Sequence, residues 1–178
     1  MLQLFAFERV GVVLSDLYFL DPQPSAGQEG AERGVRLEVR LMSLGQPPGS
    51  PYSSRPIEVG QPVWRADLLE TVDSPPGSLN RAHHHPRFDG WEPGGRVFDQ
   101  ELSGNPVSWV GEQLGDLEGL FRQAGLETGP DIAADAAQLR SCVPQIERAL
   151  GSLLDGVKAG ELGLAPAGEV TAARISWL

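Results

Sequence analysis

VRLEVRLM, residues 35 to 42, decides the fold: Val35, Leu37, Val39 and Leu41 alternate with Arg36, Glu38, Arg40 and Met42. A helix needs apolar residues every third or fourth place, whereas an alternation of period two puts all four on one side of a strand. The opposite side carries two arginines and a glutamate, so the strand is expected to have one dry face and one largely wet face.

Neighbouring segments supply partners for that strand. Leu2 to Leu20 is rich in Val, Leu, Phe and Tyr without helical spacing, and reads as two strands around Gly11. Asp21-Pro22 stops them, and Gln23 to Gly34 reads as a polar loop. Four prolines and two glycines between Gly45 and Pro56 make that stretch another loop. Val63 to Val72 returns to strand character, with Trp64, Ala66, Leu68 and Val72 on one face. The turn DSPPGS then leads into a partner strand over Leu79 to His85.

Beyond residue 100 the apolar period changes. Asn105-Pro106 starts a helix, with Asn as cap and Pro in the first turn. Val107, Val110, Leu114, Leu117 and Phe121 follow at three-four spacing, and Gly125 ends it. A second helix begins near Asp131, and Pro144 either kinks it or lies in the first turn of a new helix capped by Ser141. The same spacing continues to Gly160. Val170 to Trp177 reads as a closing strand. The class expected is α+β, in one domain: residues 1–100 are mainly strands and loops forming an antiparallel sheet, 101–160 supply two or three helices, and 168–177 form a short C-terminal strand.

A formal charge of −10, from 24 acidic and 14 basic residues, repels phosphate backbones and anionic lipid headgroups, so neither nucleic acid nor a membrane is an expected partner. The single cysteine, Cys142, excludes an internal disulfide and suits a reducing compartment. No basic segment precedes an apolar run near residue 1, and a cytoplasmic location is expected.

All three histidines are contiguous, within NRAHHHPRFDGWEPGGRVFD. On a strand His83 and His85 point to one face and His84 to the other, so the pair can offer two imidazoles to one ion. Asp89 or Glu92 supplies a carboxylate after the turn at Pro86, completing a set suited to divalent zinc, iron or manganese. Asp67, His84, Arg87 and Trp91 are the expected binding neighbours. With Val72 opposite Leu79, Asp67 lies opposite His84, and His83 and His85 fall on the Trp64 and Leu68 face; a slip of one residue reverses every assignment. The plain alternative is a hydrogen-bonding polar strand face made by the histidines, Arg81 and Arg87.

The spacing Gly77, five residues, His83-His84-His85, three residues, Asp89, five residues, Gly95 loosely resembles the first cupin motif, which implies a metal held in a double-sheet barrel. Here Asp89 stands for the motif's Glu, Gly95 comes one place early, and the histidine of a second motif is missing. RAHHHPRFDGWEPGGRVFDQELSGNPVSWV, residues 81–110, resembles an uncharacterised protein family of GC-rich actinobacteria. That likeness implies a bacterial cytoplasmic source and carries over no catalytic residue.

Two functions fit these features. One is binding of a small molecule or a metal, extending to catalysis, at His83, His85 and Asp89 or Glu92. The other is a non-catalytic interaction protein, in which the acidic helical half, the glycines at 111, 115 and 119, or the last strand forms a homodimer or holds another protein.

Overall fold

A computed structural model describes residues 1–166 and 173–175. Five strands run antiparallel in sequence order: β1 (Leu2–Ala6), β2 (Val10–Leu20), β3 (Ala31–Leu44), β4 (Ile57–Thr71) and β5 (His83–His85). A hairpin of β6 (Phe88–Asp89) and β7 (Glu92–Pro93) makes a second small sheet. The helices are α1 (Gln100–Gly104), α2 (Pro106–Gly115), α3 (Leu117–Gln123) and α4 (Pro130–Lys158). β8 (Ala173–Ile175) pairs with Tyr18 to Leu20 of β2, on the edge that β1 also uses. The rest of the closing strand expected over 170–177 lies outside the described residues. This is the expected α+β arrangement, and among the described residues no helix is long and apolar enough to cross a membrane.

The alternation in β3 sets the layers. Val35, Leu37 and Val39 stand beside Leu68, Ala66 and Trp64 of β4, and Val39 and Leu37 beside Val12 and Leu14 of β2. These rows form the sheet side of one core, closed by Leu114, Leu117, Phe121, Leu139, Ile146 and Leu150 from the helices. Each fully buried side chain of that size contributes roughly 1.5–3 kcal/mol by leaving water. β3 starts at Ala31, inside the stretch read as a loop, because Glu32 and Arg33 find partners in Thr71 and Glu70 across the β4 ladder. At the other end the ladder shifts register around Arg40, opposite Pro62, which has no N–H to donate.

The expectation of one wet face is overturned. Arg36, Glu38 and Arg40 of β3 are buried, as are Arg65 and Asp67 of β4, because the β6–β7 hairpin lies over them. Phe88 covers the Arg65 guanidinium at 4.9 Å and Trp91 covers that of Arg40 at 5.2 Å.

Three helical details differ from the sequence reading. The helix expected from Pro106 to Gly125 breaks at Asp116, whose carboxylate accepts from the Gly119 amide at 2.9 Å and so starts α3 afresh. Gly125, at φ 75°, closes α3 as expected. Asn105 makes no side-chain cap; its amide ends α1 on the Glu101 carbonyl at 2.8 Å. α4 runs unbroken through Pro144, and the Ser141 hydroxyl donates to the Gln138 carbonyl instead of capping a new helix. The three glycines form no common contact stripe: Gly111 faces Glu147 of α4, Gly119 sits against Asp116, and nothing lies close to Gly115.

Asp135 of α4 ties the helical layer to the sheet. It is 1% exposed, and its carboxylate accepts from the amides of Glu8, Arg9 and Val10 at 3.2, 2.7 and 2.9 Å, capturing the β1–β2 turn. Asp135→Ala removes the acceptor for all three amides and is expected to cost roughly 2–4 kcal/mol. A lower urea midpoint at unchanged m value checks this, with Asp135→Asn losing less.

Candidate metal centre

β5 is three residues long because the chain before it is spent on a turn. The Glu70 carboxylate accepts from the Gly77 and Ser78 amides at 2.6 and 2.9 Å, and the Asn80 side chain accepts from the Thr71 amide at 3.0 Å. Leu79 takes φ 46°, unfavourable for a branched side chain, and is held there by burial in the core. Strand pairing therefore begins at His83. It sets Asp67 opposite His83, Ala66 opposite His84 and Arg65 opposite His85.

This register is one residue away from the expected one, and it reverses every face. His84 turns into the core, 5.1 Å from Trp109 and 6.2 Å from Trp64 between ring centres, and burial pushes its imidazole below the ordinary range. His83 and His85 join Asp67, Arg36 and Arg65 on the buried polar face.

The two rings are held alike. His83 Nδ1 lies 2.8 Å from the Arg81 carbonyl and His85 Nδ1 lies 2.8 Å from the Gly94 carbonyl. A carbonyl only accepts, so each Nδ1 carries a proton, and the Nε2 atoms are left facing the cluster. Both Nε2 atoms point at one oxygen, Asp67 Oδ2, each from 3.6 Å. Ligand atoms from the three residues all lie within 4.8 Å of one another. The 3.6 Å separations exceed a hydrogen bond, yet donor atoms around a tetrahedral ion with bonds of about 2.1 Å stand about 3.4 Å apart. Carbonyl groups that fix ring tautomer and direction are the usual support behind metal-binding histidines.

Charge around the cluster is ordered by Arg36, which grips Asp67 with Nε at 2.6 Å and a terminal nitrogen at 3.2 Å. Burial alone would raise the Asp67 carboxyl; the Arg36 charge and the hydrogen bonds outweigh it and hold the group well below the ordinary carboxylate range. Beside this pair, Glu38 accepts from Arg65 at 2.6 Å and from Arg40 at 2.9 Å. Burial, partly opposed by Asp67, pushes the His83 imidazole down to about 4, so at neutral pH it is an uncharged donor.

Of the residues expected at the site, His83 and His85 come together, and Asp67 supplies the carboxylate. Asp89 is exposed and pairs with Glu92 across the hairpin, away from the histidine nitrogens. Glu92 and Trp91 line the same cavity of about 450 Å³ as the two histidines. Arg87 is exposed and contributes its carbonyl to the Gly94 amide at 3.0 Å. Arg36, Glu38 and Arg65 were missed because an alternating charged face ordinarily meets water. The available signal was complementarity: Arg36 and Glu38 on one strand match Asp67 and Arg65 on the next.

Fold and cluster together define an antiparallel α+β protein with a buried set of two histidines and one carboxylate. No protein-family model, curated protein or solved structure matches the chain.

Unfolding exposes His83 and restores its ordinary affinity for a proton. Between pH 6.5 and about 4 the unfolded chain is protonated there and the folded one is not, so stability falls as pH drops through that window. Metal-free protein is expected to lose on the order of 3 kcal/mol across it, and His83→Gln to flatten the slope, in urea titrations at successive pH values.

Proposed function

We propose that the protein binds a divalent transition metal, zinc, iron or manganese, through His83 Nε2, His85 Nε2 and an Asp67 oxygen, and uses it to hold a small molecule in the adjoining cavity. One observation carries this reading. The Nε2 atoms of two rings, each fixed by a carbonyl at Nδ1, converge on one oxygen of an ionised carboxylate, a donor set that suits a shared divalent cation. Glu92, one of the two carboxylates expected from sequence, stands on the cavity wall.

Two nitrogens and one oxygen would leave coordination positions open, and a metal held there would supply Lewis-acid chemistry. This chain's own part is to fix the imidazole tautomers, keep Asp67 ionised through Arg36, and cover the site with the β6–β7 hairpin.

Elemental analysis of untagged protein is expected to give one metal per chain, and the His83→Ala, His85→Ala double variant to weaken zinc binding by more than about a hundredfold. Zinc at about a hundred times its dissociation constant is expected to raise the unfolding temperature by roughly 5–10 °C. Protein that is isolated metal-free and takes up no zinc, iron or manganese overturns the reading.

A further inference from the structure

The cavity beside the cluster contains two buried groups with opposite needs. Arg36 is 5% exposed and lines the cavity; its Nε and Nη2 are engaged by Asp67, while its Nη1 finds no acceptor among the described residues. Glu32 is 3% exposed and lines the same cavity; its Oε2 finds no donor among them. A buried guanidinium N–H and a buried carboxyl oxygen each cost free energy when left without a partner. Both lie on the same face of β3, four residues apart, and line one cavity.

Charge makes the same demand. Arg36, Arg40 and Arg65 share Glu38 and Asp67, and Glu32, on the same face of β3, pairs with Arg81 through Oε1 at 3.5 Å. A divalent cation at His83, His85 and Asp67 adds two positive charges in a medium that screens poorly. On the cavity wall Arg96 and Glu92 are of opposite sign and offset one another. An anionic ligand relieves this excess, although the chain as a whole is strongly acidic.

We infer that the cavity takes a small hydroxycarboxylate, its carboxylate on Arg36 Nη1 and toward the metal, and its hydroxyl donating to Glu32. The charge argument rests on the metal reading, whereas the two unpartnered groups do not depend on it. A volume of about 450 Å³ lies within the range of small-molecule sites. The ring of Trp91, over its rim, gives the ligand an apolar wall.

Calorimetric titration of the full chain, with and without zinc, with malate, succinate and the neutral diamide of malate tests the assignment. Malate is expected to bind at least tenfold more tightly than the diamide, and more tightly than succinate. Arg36→Lys, which keeps the charge but not Nη1, is expected to weaken malate at least tenfold in the titration without zinc. Glu32→Gln is expected to bring malate and succinate closer together. Should Arg36→Lys fail to fold, the comparison of malate with its diamide on the unaltered protein still decides. Diamide binding equal to malate, or no binding of malate, lactate or gluconate, overturns the carboxylate site; succinate equal to malate overturns the hydroxyl contact. Zinc uptake without any acid binding sinks this inference and leaves the metal reading intact, whereas acid binding without metal uptake does the reverse.

Discussion

The bidentate pair between Arg36 and Asp67 is the interaction on which the polar half of this protein depends. It joins the two longest strands through their side chains as well as their backbones. It keeps a carboxylate ionised where burial would otherwise protonate it, and it aims one oxygen at the third strand. Without it, Asp67 would be an unpaired acid at 2% exposure and the imidazoles opposite would have nothing to face.

Buried ion pairs of this kind are poor sources of stability, since desolvation consumes most of what attraction returns. Apolar residues of similar volume in place of Arg36, Glu38, Arg65 and Asp67 would pack against the hairpin at least as well. Under the proposed function, the five charged groups covered by Phe88 and Trp91 serve the site and not the fold. The fold draws its stability from the other side of the sheet, where β3 meets β2 and β4 in rows of Val, Leu, Ala and Trp under α2, α3 and α4.

Most of the architecture was legible because it rests on local periodicity. The alternation from Val35, the proline-rich break from Gly45 to Pro56 and the apolar stripe after Pro106 each specify an element without reference to the rest of the chain. The His-x-His pair was legible for the same reason. Its carboxylate partner and its face were not, because both depend on register, and register was decided by Leu79 adopting a left-handed conformation in a turn that sequence alone renders as a strand. Nor does alternation reveal that a charged face is covered: the hairpin that covers it comes from residues 88–93, about fifty positions after β3. Asp116, which splits the helix predicted from Pro106, was hidden by an apolar spacing that continues across the break.

His84, the member of the triplet that faces away from the cavity, has a consequence for what the other two can do. Its amide and carbonyl exchange hydrogen bonds of 2.9 Å with Val97, and its ring is lodged against the two tryptophans of the core. A three-residue strand gripped from the outside and the inside has no freedom to swivel. These contacts fix the spacing of the imidazoles on either side, and under the proposed function that spacing selects ions by radius. For the proposed metal this favours ions that form bonds near 2.1 Å over calcium, which needs about 2.3–2.6 Å and more oxygen ligands.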